Sequence, residues 1–237
     1  MDGDLAVIVV PTPPSRRGGV LCAIEGGRFI LTLFGMLGDH PPLDPEGFLR
    51  FAESLPAKEI GAFVAGAAPL GDPVPFRFPA SVRRRYERLT RFPAGLLVFG
   101  DAICGFNPIY GQGMSVAALQ AEALGRVLSA GRDRLAPRFF AEAARVVDTP
   151  WDMCVGGDLE YREVPGRRTR IGRLLGAYVA SLRRGAQRDS RLALAFQRVA
   201  NLVAPPSSLL GPRVALRVLR AALPFARPRV QAIRRSI

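Results

Sequence analysis

The fold is decided by one stretch, Gly100-Asp101-Ala102-Ile103-Cys104-Gly105-Phe106-Asn107-Pro108-Ile109-Tyr110-Gly111-Gln112-Gly113-Met114-Ser115. The apolar run Leu96 to Phe99 comes before it and predicts a buried strand that ends at Gly100-Asp101. A loop follows, and a helix is predicted from about Gly111 to Ser129. The order of strand, acidic residue, loop and glycine-flanked helix is typical of a ligand crevice in an open α/β sheet.

The residue types in this crevice suit a flavin better than a generic phosphate. Asp101, at the carboxyl end of a strand, is placed to accept hydrogen bonds from ligand hydroxyls. Gly111 and Gly113 let the backbone approach a flat ligand, and the first helical turn offers about half a unit of positive charge. A reduced flavin has negative charge along one edge of its ring, which such a helix start would favour.

The segment resembles the second FAD fingerprint of aromatic-ring hydroxylases and related flavin monooxygenases of the 2-polyprenyl-6-methoxyphenol hydroxylase-like kind. In that family Gly-Asp-Ala is followed by Pro and then by Gly-Gln-Gly-Met-Asn. The resemblance implies that Asp101 binds ribityl or ribose hydroxyls, Pro108 borders the flavin, and residues 111–115 line its pyrimidine edge. The implied cofactor-binding residues are Gly100, Asp101, Pro108, Gly111, Gln112, Gly113, Met114 and Ser115.

The same resemblance implies an FAD-dependent oxidoreductase, an NAD(P)H-dependent monooxygenase that acts on a small apolar or aromatic substrate. FAD would be the cofactor and NAD(P)H the reductant, and the flavin would do the chemistry. The residues themselves assign no catalytic group. We expect the substrate between a sheet formed by residues 5–78 and the flavin face near Pro108.

Several features depart from the family's pattern. Cys104 stands where hydroxylases usually have His, Ser115 replaces the usual Asn, and Gln120 stands where Asp is common. The run Gly105-Phe106-Asn107-Pro108 also resembles the geranylgeranyl reductases, so a flavin-dependent reductase of isoprenoid double bonds is the alternative. No Gly-x-Gly-x-x-Gly follows a strand, so we expect weak FAD binding or none unless a separate N-terminal half supplies that loop.

The predicted fold class is α+β or α/β, with an incomplete FAD-binding, Rossmann-like domain, an antiparallel substrate-domain sheet and a helical C-terminal region. Residues 1–80 would form the sheet and a helix, residues 81–131 the FAD-binding segment, and residues 132–237 the helical region. The sheet strands are predicted at 5–10, 20–24 and 28–34, with a helix from Asp44-Pro45 and an extended edge segment at 73–78. The later helices include 171–182 and 192–203, with breaks at Pro150, Pro165, Pro205-Pro206, Pro212 and Pro224, and the basic end from Arg227 is expected to fray.

The charge of the chain leaves a third hypothesis open, a basic module that binds acidic membrane or nucleic acid. The net charge is +13, almost entirely from arginine, as GC-rich codon usage would also give. Nucleic acid is not expected, because no recognisable motif or aromatic interleaving is present, whereas peripheral membrane contact stays open. The run Arg83-Arg84-Arg85 could contact a pyrophosphate or NADPH, but an arginine run is more often a solvated face.

Metal and nucleophilic chemistry lack the necessary residues. His40 is the only histidine, and Cys22, Cys104 and Cys154 are too widely spaced for a metal site or a disulfide framework. We therefore expect no metal and a reduced, cytoplasmic protein, with Cys104 an inert small hydrophobe. We expect neither a signal peptide nor a transmembrane segment.

Overall fold

The computed structural model describes residues 6–222, which contain both α-helices and β-strands. These residues separate into two compact units, residues 6–77 with 161–163, and residues 78–160 with 164–222. The described part has seven α-helices and two small antiparallel sheets, so the mixed α/β content expected from the sequence is confirmed. Among these residues, no helix has both the length and the apolar character needed to cross a bilayer.

The first unit is built on a three-stranded antiparallel sheet. Its strands are β1 (Ala6–Val9), β2 (Arg17–Ile24) and β3 (Arg28–Gly35), in the order β1-β2-β3. The three predicted strands are thus confirmed to within a few residues, and Leu5 lies outside the described residues. A turn with Gly26 and Gly27 at positive φ joins β2 to β3, where a side chain would be strained.

Two helices cover this sheet. Helix α1 (Pro45–Glu53) begins where the sequence predicts it, because the Asp44 carboxylate accepts a hydrogen bond from the Gly47 N–H at 2.7 Å. Helix α2 (Lys58–Gly66) was not predicted. Leu21 and Leu33 from the sheet are buried against Phe51 of α1, Ile60 of α2 and Leu55 between the two helices. The prediction of an edge strand at 73–78 is wrong, because these residues pair with no strand among those described. The prolines of this segment lack the N–H that a strand ladder needs.

The second unit begins with a short ladder and two long helices. Strand β4 (Val82–Arg83) pairs antiparallel with β5 (Cys104–Gly105), and helices α3 (Gly113–Ser129) and α4 (Leu135–Asp158) pack together. Helix α3 starts two residues later than predicted and ends before Gly131, which has φ +100°. The predicted break at Pro150 is wrong, since this proline lies buried inside α4 and the packed core around it outweighs the lost hydrogen bond.

The unit ends with three amphipathic helices, α5 (Arg170–Ala186), α6 (Ser190–Ala200) and α7 (Pro212–Ala222). Thr169 caps α5 and Asp189 caps α6 through hydrogen bonds to backbone N–H groups. The predicted helices at 171–182 and 192–203 are confirmed in the main, and Pro165, Pro205-Pro206 and Pro212 separate or begin helices as expected. Pro224 and the basic end from Arg227 lie outside the described residues.

Candidate functional site

The run Gly100-Asp101-Ala102 forms a single tight turn. Gly100 has φ +62°, and the Ile103 N–H closes the turn on the Gly100 carbonyl at 2.9 Å. The Gly100 N–H donates to Oε1 of Gln120, which is fully buried in α3, at 2.9 Å. The turn is therefore tied to α3 and leaves Asp101 exposed.

The Asp101 carboxylate lies beside the first turn of α3. Its Oδ1 is 3.7 Å from the position that a Cβ would take on Gly113. Within residues 6–222 no side chain caps the N-terminus of α3, so the N–H groups of Gly113, Met114 and Ser115 have no intrahelical or side-chain acceptor there. Met114 is 88% exposed, and Gly111 has open space around its Cβ position. A carboxylate and a row of free N–H donors thus face the same open surface.

The Gln112 side chain points into the protein instead of toward this surface. It is 4% exposed, and its Nε2 donates to the Ala200 carbonyl at 3.1 Å. The Cys154 thiol donates to its Oε1 at 3.5 Å. Gln112 therefore fastens the start of α3 to α4 and α6, and only its backbone is available to a ligand.

Hydrogen bonds between side chains hold the loop that precedes α3 against α4. The Tyr110 hydroxyl donates to Oδ1 of Asp158 at 2.8 Å, and Asn107 also hydrogen-bonds this carboxylate. Burial raises the pKa of Asp158 above its usual range, and the two hydrogen bonds oppose the rise. Burial and the bond to Asp158 both raise the pKa of Tyr110, which keeps it a donor. Gly157 makes room for the ring, since a Cβ there would lie 2.5 Å from the Tyr110 hydroxyl.

Cys104 and Arg83 are structural residues in this unit. Cys104 is 1% exposed, and burial raises the pKa of its thiol to about 11, so the thiolate is disfavoured. The Arg83 side chain is 4% exposed and pairs with Asp148 at 2.6 Å. The expectation of a solvated arginine face is therefore wrong for Arg83, whereas Arg84 and Arg85 are exposed.

The apolar run before the turn is unpaired among the described residues, so the prediction of a buried strand at Leu96–Phe99 is wrong. Phe99 has extended backbone angles, yet within residues 6–222 no strand pairs with this run. Leu97 and Val98 pack on the core, while Leu96 and Phe99 are 52% and 37% exposed. A strand needs a neighbour on at least one edge, and the described part of the chain provides none.

The Gln120 side chain also lacks a partner, within residues 6–222, for one of its polar atoms. Its Nε2 is the buried side-chain donor for which the described residues provide no acceptor. An unpaired buried amide costs about 1–3 kcal/mol. Gln120, whose Nε2 is unpaired, accepts a hydrogen bond from Gly100. Gly100 directly follows the unpaired run Leu96–Phe99.

The structure brings most of the predicted cofactor-binding residues to one surface. Asp101, Pro108, Gly111 and Met114 are exposed there, and Gly100, Gly113 and Ser115 are partly so. Gln112 is the exception, as its side chain is buried. The sequence analysis did not identify Asp158, which accepts the hydrogen bond from Tyr110. The adjacent Gly156-Gly157 inside a helical pattern could have indicated it, because such glycines permit the close approach of another part of the chain. Among residues 6–222, no group of Cys, His, Asp and Glu is arranged to hold a metal ion.

Comparison with known proteins found a similarity to a curated protein. No family model matches the chain. A curated protein of Mycobacterium tuberculosis (strain ATCC 25618 / H37Rv), named Protein Rv3254, is 39% identical over 147 residues, which cover 60% of this chain. The chain spans about a third of the length of that relative, 31%. The relative's name states no activity, so the chemistry of the site is argued from its geometry.

Proposed function

We propose that the chain supplies the flavin-ring side of an FAD-dependent oxidoreductase, an NAD(P)H-dependent monooxygenase that acts on a small apolar or aromatic substrate. The observation that supports this proposal is the uncapped N-terminus of α3 with the Asp101 carboxylate beside it. On this proposal residues 81–131 belong to a Rossmann-like, FAD-binding domain.

The residues present fit one edge of a flavin. The free N–H groups of Gly113 to Ser115 would donate to the pyrimidine edge, and the Asp101 carboxylate would accept from a ribityl hydroxyl. The open space at Gly111 and the exposed Pro108 leave room for a flat ring. When bound, FAD supplies the redox chemistry, because it exchanges electrons with NAD(P)H and with oxygen.

The chain's own contribution is electrostatic and positional. The N-terminus of α3 has about half a positive charge, which stabilises a nearby anion by about 0.3–1 kcal/mol at an exposed site and up to about 2 kcal/mol at a partly buried one. The buried Gln112 side chain fixes where the helix begins, and Gln120 fixes the turn that holds Asp101. The donors and the carboxylate are therefore held in place before a ligand arrives.

The site also needs a second wall, which the unpaired run Leu96–Phe99 would help to form. Its free backbone groups and exposed Leu96 and Phe99 side chains are suited to pairing with another strand. We propose that a further segment, from elsewhere in the polypeptide or from a separate one, pairs with the run Leu96–Phe99 as a strand. Its Gly-x-Gly-x-x-Gly loop would bind the ADP part of FAD.

A titration of the full chain with FAD, followed by flavin fluorescence, tests the proposal. We expect weak, saturable binding that Asp101→Ala reduces at least about tenfold, because a hydrogen bond to a charged group contributes about 1.5–3 kcal/mol and about 1.4 kcal/mol is a factor of ten. Asp72→Ala, which changes an exposed aspartate in the other unit, is the matched control and should leave binding unchanged. Absence of saturable binding, or equal binding by the Asp101→Ala variant, contradicts the proposal.

A further inference from the structure

The positive charge of this protein is concentrated in its last third. Residues 164–237 contain 16 arginines and a single acidic residue, Asp189, whereas residues 1–163 sum to a net charge of −2. Codon usage alone would spread arginine without excluding acidic residues from one region. Helices α5 to α7 therefore belong to a strongly cationic part of the sequence.

Exposed aliphatic side chains lie among these arginines. On α7, Leu216 and Leu219 are 48% and 64% exposed, while Val218 on another face of the helix is buried in the core. Arg213 and Arg220 are also exposed, and within residues 6–222 no carboxylate lies within ion-pair distance of either. The outward face of α7 thus combines unpaired cationic and apolar groups.

Helix α5 also exposes apolar side chains close to arginines. Ile171, Leu174 and Leu175 lie at helical spacing on one face and are largely exposed, with Arg170 and Arg173 close in sequence. Further along the same face, Tyr178 and Leu182 pack against α6 and α7. The apolar stripe of α5 therefore continues past the point where the described protein covers it.

A groove on α7 adds a place for an anionic head group. It has a volume of about 430 Å³ and is lined by Arg191, Arg213, Val214, Leu216, Arg217 and Arg220. Of its four arginines, Arg217 pairs with Asp189 at 2.8 Å. The others contribute charge that no carboxylate among the described residues balances.

We infer that the outward face of α7 and the uncovered apolar start of α5 dock on the surface of an anionic lipid bilayer. An amphipathic helix with leucines on one face and arginines beside them lies in the interface plane, with its apolar face among the acyl chains and its cations at the head groups. These helices would lie on the membrane, since none in the described part is able to cross it. An anionic bilayer is the partner that matches both the aliphatic and the cationic groups.

Nucleic acid would match the cationic groups of this surface but not its aliphatic groups. Phosphate would satisfy the arginines, but single-stranded nucleic acid is bound by exposed aromatic rings that stack on bases. The aromatic residues of α5 to α7, Tyr178 and Phe196, are packed against the core. Exposed leucines and isoleucine have no partner on a phosphate backbone.

Co-sedimentation of the full chain with vesicles tests the inference. Vesicles of phosphatidylcholine alone are compared with vesicles that also contain phosphatidylglycerol, at low and at high salt. We expect binding only to the anionic vesicles and a decrease with salt. The double substitution Arg213→Gln and Arg220→Gln should weaken binding roughly 30-fold, which corresponds to about 1 kcal/mol for each arginine near such a surface.

A second variant separates lipid insertion from simple charge attraction. Leu216→Ser with Leu219→Ser should weaken vesicle binding about tenfold or more, because two aliphatic side chains no longer enter the bilayer. The matched controls are Arg77→Gln and Leu70→Ser, both exposed and in the other unit, which should change nothing. If the double variant does not fold, as judged by circular dichroism, Leu219→Ser alone replaces it.

Two results would overturn the inference. One is binding to neutral and anionic vesicles alike, or to neither. The other is binding to a DNA duplex that competes with the vesicles and is unaffected by the leucine substitutions, which would assign the arginines to nucleic acid.

Discussion

The backbone N–H of Gly100 donates a hydrogen bond to Oε1 of Gln120 at 2.9 Å, and this bond joins the turn that contains Asp101 to the middle of α3. Gln120 is fully buried, and its Nε2 has no acceptor among the described residues. One side chain thus positions the acidic residue of the candidate site and still has a donor free for a further contact.

The substitution Gln120→Leu should loosen the Gly100–Ala102 turn. It removes the acceptor of the Gly100 N–H, which costs about 0.5–1.5 kcal/mol, but it also removes the unpaired Nε2, which relieves about 1–3 kcal/mol, so we expect no net loss in the free energy of unfolding. The amide resonance of Asp101 should shift and broaden in NMR spectra. Gln187→Leu, at an exposed position, is the control for stability; an Asp101 resonance that does not change would show that the bond does not hold the turn.

Two neighbouring glycines of α4 should respond to alanine in opposite directions. A Cβ on Gly157 would lie 2.5 Å from the Tyr110 hydroxyl, so Gly157→Ala should cost about 1–3 kcal/mol through overpacking. A Cβ on Gly156 meets nothing within 4 Å, so Gly156→Ala should stabilise the helix by about 0.5–1 kcal/mol. Urea unfolding measures both, and equal effects would mean that Tyr110 does not pack on Gly157.

The buried Asp158 carboxyl should make the protein less stable as the pH rises. Burial raises its folded-state pKa above the ordinary value of 3.8, so the folded state binds the proton more tightly than the unfolded chain does. Its contribution to stability is complete below pH 3.8 and is lost as the pH rises through the raised pKa. Asp158→Asn keeps an acceptor for Tyr110 and should lack this loss, so the variant gains on the wild type from acidic to neutral pH in urea unfolding. A constant difference between the two would contradict the assignment.

The cysteines should react with a thiol reagent at very different rates. Burial raises the pKa of the Cys104 thiol to about 11 and that of the Cys154 thiol to about 12, and neither side chain is accessible. Cys22 is partly exposed. At mildly alkaline pH, intact-mass analysis should show one fast modification, which Cys22→Ser abolishes, and two further ones only on unfolding. Fast modification of Cys104 would revive a redox role for that residue.

Features set by local signals were predictable from the sequence. The start of α1 follows from Asp44-Pro45, because the capping carboxylate and the N–H that it accepts from belong to neighbouring residues. The three strands of the first sheet and the proximity of Asp101 to the start of α3 follow from short-range patterns in the same way.

Features that depend on distant partners were not predictable. The inward turn of the Gln112 side chain depends on the Ala200 carbonyl, which is 88 residues away. The unpaired run Leu96–Phe99 has the composition of a buried strand, but a strand forms only beside a neighbour, and composition does not reveal whether one is present. Pro150 stays in a helix because the packed core of the second unit holds it there, which a local rule about proline does not include.

The most direct measurement of the central claim is an amide-resolved NMR titration of the full chain with FAD, with inorganic phosphate at equal ionic strength as the reference. The account predicts that FAD shifts the amide resonances of Gly111, Gly113, Met114 and Ser115 together with Asp101, and that phosphate does not. Shifts confined to the arginine-rich helices α5 to α7, or identical for FAD and phosphate, would contradict the claim that the open start of α3 receives a flavin.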